Sequence, residues 1–514
     1  MSSSTTLKGL LEKSLVENAT RTALVFGSQR LTYEDVDRAS RAAARELLAA
    51  GVKRGDRVAL LLANGLEFPV YDLAIARLGA VKVPLNDMLA AGDIGHALRH
   101  CDARAAVVDE SMVPLAQKAT AGGDVPASLL SATPVAELVA ATTEMSDDPA
   151  PELVGPQECA ALFYTGGTTG PPKGVMHSQG GLALNQISTI LEAEIGRDER
   201  LLLTTPLPHA AGLFTLAGLV RGAMVVITAG FDAEAMLAAV EEHQITWTFA
   251  VPTMIYRLLD CEALSRRDHS SLRTVLYGAA PINPDRLAQA LELLGPVFIQ
   301  LYAQTECPNF ATTLSKGDHL LAATQPEILL SCGRPVLMAE VTVRDEQGTV
   351  LAAGEIGEVC IRAAYTMDGY LGDDEATAGR FFDDWLRTGD IAAFDEAGYL
   401  YLKDRRSDMV ISGGMNVYTA VVERVVAETP GVAQAAVIGV PDPDWGEAVH
   451  AVIVVDSPTV GQAEVLEHCR DRLAKYMRPK SVEVIDAMPL TAYGKMDKKA
   501  LRKRHWASSS REIG

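Results

Sequence analysis

The sequence predicts an α/β protein: a large N-terminal domain of layered α/β sheets with a β-rich subdomain, followed by a small α+β C-terminal domain. Three observations point there. Short apolar runs alternate with helical patterns along the first four-fifths of the chain. From Glu340 the pattern changes to shorter strands split by Gly-containing turns. After a charged joint, Asp404-Arg405-Arg406-Ser407-Asp408, helices and strands resume as a third pattern. The boundary is placed at that joint, giving domains 1–404 and 405–514.

In chain order, Val58 to Ala63 reads as a buried strand leading into a helix over Glu67 to Leu78, which Gly79 ends. Further strands are predicted at Ala105 to Val108, Cys159 to Tyr164, Met224 to Thr228, Thr246 to Ala250, Thr274 to Tyr277 and Val297 to Tyr302. The Ala-rich segment from Gly122 to Ala150 reads as a variable connection. Leu201 to Val220 carries no formal charge, yet Thr204, Thr205, Pro206, Pro208 and His209 interrupt it, so it reads as strand, loop and helix rather than a membrane span. Beyond Asp408 the pattern gives a helix (Val421 to Glu428), strands (Ala435 to Val440, Val449 to Val455), a helix (Ala463 to Ala474) and a strand (Ser481 to Ile485).

Composition narrows the class. The 514 residues are 48% hydrophobic and 22% charged, which argues against long disorder or a collagenous repeat. A formal charge of −20 disfavours a general nucleic-acid binder, because such binding needs Lys and Arg against phosphates. Seven cysteines form no CxxC pair and are odd in number, the pattern of reduced thiols. Lys8, Glu12, Lys13 and Glu17 interrupt the N-terminus and leave no secretory core. A cytoplasmic protein with no membrane span is expected.

The segment richest in chemistry is YTGGTTGPPKG, Tyr164 to Gly174, after the apolar strand at Cys159. Gly166, Gly167 and Gly170 let backbone N–H groups approach an anion, while Thr165, Thr168, Thr169 and Lys173 supply further donors to phosphate oxygens. The Walker spacing is absent, since Gly174 stands where Ser or Thr would follow the lysine. The plain alternative is a Gly-rich surface turn.

This segment resembles the phosphate loop of the adenylate-forming superfamily of acyl-CoA synthetases, luciferases and nonribosomal adenylation domains. Further signatures follow in the family's order: PLPHAAG from Pro206, YGAAP from Tyr277, YAQTE from Tyr302, LRTGD from Leu386, DRRSDMVISGGMNVY from Asp404, PDPDWGEAV from Pro441 and AYGKMD from Ala492. The resemblance is closest to the acyl-CoA synthetase branch and spans most of the chain. It implies two half-reactions. A carboxylate attacks the α-phosphate of ATP to give acyl-AMP and pyrophosphate, and the thiol of coenzyme A then displaces AMP.

The resemblance also implies roles, each beside a plainer reading. Glu306 becomes the Mg²⁺ carboxylate and Thr305 a phosphate contact, though a lone Thr-Glu pair is commonly a helix cap. Tyr302 stacks on adenine opposite Gly278, Ala279 and Ala280, or else is a core aromatic. Asp390 accepts from the ribose hydroxyls with Arg405 nearby, or is a turn residue after Gly389. His209 gates the carboxylate pocket, or is a satisfied core histidine. Lys495 bridges carboxylate and α-phosphate during adenylation, or is one charge of a basic tail. Gly413, Gly414 and Trp445 line the pantetheine tunnel, or form a tight turn and a buried indole.

The C-terminal domain is expected to be mobile, although Ser407 stands where the family's hinge carries Asp or Lys. Leu301, Ala303, Ala279 and Ala210 suggest a roomy, uncharged acyl pocket for a medium- or long-chain, aryl or bulky alicyclic acid. Three alternatives remain at this stage: acyl-AMP passes to a carrier protein or partner enzyme, the fold is a scaffold without catalysis, or it acts as a luciferase-like oxygenase. The set Lys173, Glu306, Asp390 and Lys495 argues against the scaffold, and nothing selects the oxygenase. A homodimer is left open.

Overall fold

Strands of four or five apolar residues with no polar alternation are buried on both faces, and parallel pairing with covering helices satisfies that demand. The computed structural model describes residues 5–86, 88–121, 127–141, 154–165, 172–406, 408–412, 415–442, 445–456, 460–470, 472–491 and 496–506. The chain separates into two compact units: Met1–Val341 with Ile361–Leu386, and Thr342–Cys360 with Arg387–Gly514.

The first unit holds two large sheets. Nine strands run in the order Arg334–Pro335, Cys307–Leu314, Phe298–Gln304, Thr274–Tyr277, Trp247–Ala250, Arg200–Leu203, Met224–Ile227, Thr22–Phe26 and Gln29–Thr32. Its inner strands pair in parallel and both edges close with antiparallel pairs. Seven strands form the other sheet: Gly369–Tyr370, Lys173–Ser178, Cys159–Thr165, Val81–Pro84, Arg57–Leu61, Ala105–Val108 and Ser128–Ser131. One core packs helix residues Met236, Leu237, Ile255 and Leu287 with strand residues Leu202, Val226, Val275 and Phe298, and a second gathers Ala59, Val83, Ile94, Leu98 and Leu162.

One reading of the sequence needs correction here, and one plainer alternative is set aside. The segment 122–150 is more than a connection: Ser128–Ser131 pairs in parallel with Ala105–Val108, and Val135–Ala140 is helical. Its strand is short and half polar, so no apolar run announces it. Thr305 and Glu306 cap no helix but form the turn of an antiparallel hairpin, with Gln304 opposite Cys307. The stretch from Leu201 does resolve into the strand Arg200–Leu203, the turn Leu207–Ala211 and the helix Gly212–Arg221.

In the second unit Met415–Val417, Val410–Ser412, Gly446–Val455 and Val432–Asp442 form one sheet, with Ser481–Val484 beside Gly446–Val455. The alternation of a strand sends Val449, Ala451 and Ile453 to a face covered by Val422, Val426 and Val465, and Val452 to the face covered by Leu501. Asp390 to Phe394 pair with strand Leu400–Arg405, and both belong to this unit. Among the described residues no helix is long and apolar enough to cross a membrane.

One buried ion pair braces the seven-stranded sheet. Lys82, opposite Ala161 in the ladder, places its Nζ 2.5 Å from Asp72 Oδ2 of helix Glu67–Arg77, and both side chains are excluded from solvent. Removing one partner strands a buried charge at a cost of about 3–5 kcal/mol, whereas an apolar pair of similar volume avoids that penalty. Lys82→Met should therefore lower the urea midpoint strongly, and Lys82→Met with Asp72→Leu should recover most of the loss, as equilibrium unfolding will report.

Candidate active site

Two hairpins and one short return strand build the site in the first unit. Strands Cys159–Thr165 and Lys173–Ser178 end their ladder at Thr165 opposite Lys173. The connection carrying Gly166, Gly167, Thr168, Thr169 and Gly170 lies outside the described residues. The second hairpin carries Thr305 and Glu306 in its turn. The return strand Gly369–Tyr370 adds to the free edge of Lys173–Ser178, with Tyr370 opposite Val175. Backbone bonds from Leu371 N–H to Gly174 O and from Asp368 N–H to Met176 O, at 2.8 and 2.9 Å, flank this two-residue pairing.

These elements converge on one carboxylate. Glu306 is buried, and its Oε1 accepts from the Tyr370 hydroxyl at 2.8 Å and from Arg380 Nη2 at 3.2 Å. Arg380 Nε donates to the Tyr370 oxygen at 3.0 Å, closing the ring of contacts. Glu306 Oε2 receives no hydrogen bond among the described residues. Lys173 Nζ lies 3.0 Å from Asp373 and 5.1 Å from the centroid of the Tyr370 ring. Lys173 and Glu306 are thus bound to the same short segment.

The turn is also held by its backbone. His177 Nε2 donates to the Thr305 carbonyl at 2.8 Å, and Met367 N–H donates to the Glu306 carbonyl at 2.7 Å. Burial pushes the His177 pKa down to about 4, so a neutral imidazole makes that bond. Burial, reinforced by the Glu306 carboxylate, pushes the Tyr370 hydroxyl up to about 12, so it remains a proton donor throughout the neutral range. Tyr370, Arg380, His177 and Asp373 were not singled out in the sequence. Their partners are distant along the chain, and the only local hint is a Gly-Tyr pair before an acidic helix start.

The remaining expected residues fall as follows. Gly278 ends strand Thr274–Tyr277, where a Cβ would sit 2.6 Å from the Leu301 carbonyl oxygen; glycine is what the approach to the neighbouring strand requires. Ala279 follows at φ +68°, and it and Ala280 are exposed. Tyr302 lies two residues before Gln304 opposite Thr312 and is 8% exposed, so most of its ring is packed. His209 leaves helical geometry inside the π-helical turn Leu207–Ala211 (φ −113°, ψ −150°), and Asn86 Nδ2 donates to its Nε2 at 2.5 Å. It is half-buried and held by a side chain of another element.

In the second unit Asp390 is buried behind Gly389, whose φ is +74°. Its Oδ1 lies 3.3 Å from Nε of Arg405, its exposed cross-strand partner. Trp445 is exposed rather than buried, with Lys480 Nζ 3.9 Å from its ring centroid, and the adjoining Gly446 pairs with Ser412. Gly413, Gly414, Ser407 and Lys495 lie outside the described residues.

Comparison with known proteins identifies the family. The AMP-binding enzyme family matches residues 11–371, and the AMP-binding enzyme C-terminal domain matches residues 421–495. The chain is 43% identical to the medium/long-chain-fatty-acid–CoA ligase FadD8 of Mycobacterium tuberculosis over 70% of its own length and 63% of the relative's. It is 38% identical to a feruloyl-CoA synthase of Amycolatopsis over 94% of its length and 96% of the relative's. Among solved structures, the amide bond synthetase McbA from Marinactinospora thermotolerans matches with a TM-score of 0.86 at 34% identity, covering 97% of this chain and 99% of that one. The chain belongs to the AMP-binding enzymes, within the acyl-CoA synthetase branch of the adenylate-forming superfamily. It is an AMP-forming acid–thiol ligase.

Tyr370→Phe deletes one donor to Glu306 and the acceptor of Arg380 while keeping the ring. A hydrogen bond to a charged group contributes about 1.5–3 kcal/mol. Turnover measured as pyrophosphate release should fall about ten- to a hundredfold. Because the hydroxyl does not titrate near neutrality, the shape of the pH profile should not change.

Proposed function

We propose that the chain activates a hydrophobic carboxylic acid with ATP and Mg²⁺ and passes the acyl group to coenzyme A. The observation that carries this reading is the shared hold of Tyr370 and Asp373 on Glu306 and Lys173, which gathers a carboxylate and an ammonium beside the end of the Thr165–Lys173 hairpin. Attack of a carboxylate on a phosphate brings two anions together, so cations must screen them and fix an in-line approach. Lys173 and the loop donors Thr165, Gly166, Gly167, Thr168, Thr169 and Gly170 would hold the triphosphate. Thr305 would contact a phosphate.

The free Oε2 of Glu306 fits a hard cation that takes one carboxylate and completes its shell with phosphate oxygens and water. Glu306 would hold Mg²⁺ there, and the ion would supply neutralisation of charge on the phosphates. Tyr302 and Gly278 to Ala280 would flank adenine, Asp390 would accept from the ribose with Arg405 beside it, and His209 would border the acyl carboxylate. Leu301, Ala303, Ala279 and Ala210 support an uncharged acyl pocket. A medium- or long-chain, aryl or bulky alicyclic acid fits that description, in line with fatty-acid metabolism.

Lys495 would act only in adenylation, residues 405–514 moving between the half-reactions, and Gly413, Gly414 and Trp445 would admit pantetheine. The McbA match supports a second reading, in which the same acyl-AMP passes to another acceptor. The free cysteines support a cytoplasmic setting, and a homodimer is the assembly to test by light scattering.

The deciding experiment follows pyrophosphate, acyl-AMP and acyl-CoA separately over a panel of carboxylic acids. Pyrophosphate release should require Mg²⁺ and an acid, and Glu306→Gln should reduce it roughly a hundredfold or more. Acyl-AMP that accumulates without acyl-CoA across the panel would transfer the assignment to the second reading.

Lys495→Ala should abolish acyl-AMP formation yet retain thioester formation from supplied acyl-AMP, a split visible in single-turnover assays. Equal loss in both half-reactions would remove the division of labour.

A further inference from the structure

Away from these residues, the second unit brings two imidazoles and a carboxylate together. His450 lies on strand Gly446–Val455, Glu483 on the parallel neighbour Ser481–Val484, and His505 on the final helix Lys498–Trp506. One ligand atom from each lies within 4.8 Å of the other two. Glu483 Oε2 is 3.7 Å from His450 Nε2 and 3.3 Å from His505 Nε2.

We propose that His450, Glu483 and His505 bind one divalent transition-metal cation, Zn²⁺ by preference, which fastens the last helix of this unit to its sheet. A tetrahedral Zn²⁺ with nitrogen and oxygen donors at about 2.0–2.2 Å places those donors roughly 3.3–3.6 Å apart. The separations of 3.7 and 3.3 Å from Glu483 lie at or close to that range, and the two imidazole nitrogens, within 4.8 Å of each other, would draw together on binding. Two imidazoles with one carboxylate also match zinc in donor softness better than they match Mg²⁺ or Ca²⁺.

The hydrogen bonding points the same way. The Nε2 atoms of both histidines are buried and make no hydrogen bond among the described residues. Buried polar atoms are nearly always paired, so two unpaired ring nitrogens facing one carboxylate call for a partner. His450 is itself 6% exposed, and its Nδ1 lies 2.7 Å from Ser481 Oγ. With Nδ1–H donated to that hydroxyl, the lone pair is on Nε2, toward the cluster.

Arg504 Nη2 donates to Glu483 Oε1 at 2.8 Å, orienting the carboxylate and leaving Oε2 for the metal. Supports of this kind behind the ligands are the usual companions of metal sites. The Arg504 charge opposes a cation, and the Glu483 carboxylate offsets it. Leu501 is the fully buried apolar anchor of the helix, so a metal bond near its end would add substantially to its attachment.

The test uses the full chain, stripped with chelator and titrated with Zn²⁺ and with Co²⁺. One equivalent of Zn²⁺ should bind and raise the melting temperature. The Co²⁺ form should show tetrahedral d–d bands with no thiolate charge transfer, which separates this site from the cysteines. His505→Gln and, independently of any folding defect there, Glu483→Gln should each weaken Zn²⁺ binding at least about tenfold and remove the thermal shift. Absence of stoichiometric binding, a thiolate signature, or wild-type affinity in both variants would overturn the assignment. None of these readouts depends on the ligase reaction.

Discussion

A carboxylate buried at the tip of a hairpin is expensive unless its charge is met by donors that are themselves anchored, and much of the first unit follows from meeting that demand at Glu306. The donors do not come from the hairpin. Tyr370 and Arg380 lie 64 and 74 residues further along the chain, within the stretch Ile361–Leu386 that belongs to the first unit although residues on both sides belong to the second. Strand Lys173–Ser178 is the common support. It receives Gly369–Tyr370 on its edge, carries Lys173 at one end and presents His177 to the backbone of the Glu306 turn.

The same logic explains what was legible beforehand. Ala105–Val108 and Thr274–Tyr277 occupy the residues that their apolar runs indicate, because a strand buried on both faces leaves its whole signature in composition. The strand Ser128–Ser131 left none, since its residues are mostly exposed. Individual residues of the candidate site divided along similar lines. Lys173, Thr305 and Glu306 sit in compact motifs where neighbouring residue types carry meaning. His177 does not: its partner is 128 residues away, and a histidine followed by a serine at a strand end has no local pattern to betray it. The hairpin turn at Thr305 escaped for another reason, since a Thr-Glu pair serves equally as a helix start and only the pairing of Gln304 with Cys307 distinguishes the two.

The second unit arranges its own buried acids in a comparable way. Asp404 is buried, and its pKa is pushed up to about 6 by that burial, which the nearby Lys498 and the Thr419 hydrogen bonds oppose. The Thr419 backbone N–H and hydroxyl both donate to it, and Lys498 Nζ donates to the Thr419 hydroxyl at 2.8 Å. Asp404 is thereby committed to its own unit's structure. Its neighbour Arg405 is exposed and its contact with Asp390 is long for a charge-assisted bond, so the arginine retains freedom that the aspartate has lost.

That contrast between committed and lendable charges runs through the first unit as well. Arg380 reaches Glu306 across a largely buried contact reinforced by Tyr370, and breaking it would leave the carboxylate exposed to the full cost of its burial. Lys173 and Asp373 are each substantially exposed, and an exposed ion pair of this kind contributes little to stability. Separating them is correspondingly easy. The Asp373 carboxylate is held low first by the backbone N–H of Ala376, which it caps at the start of a short helix, and only second by the lysine. Asp373 therefore stays ionised and in place when Lys173 turns away. A lysine paired with an exposed partner that does not need it is released at little cost, whereas the Glu306 carboxylate is held by the buried Tyr370 and the half-buried Arg380.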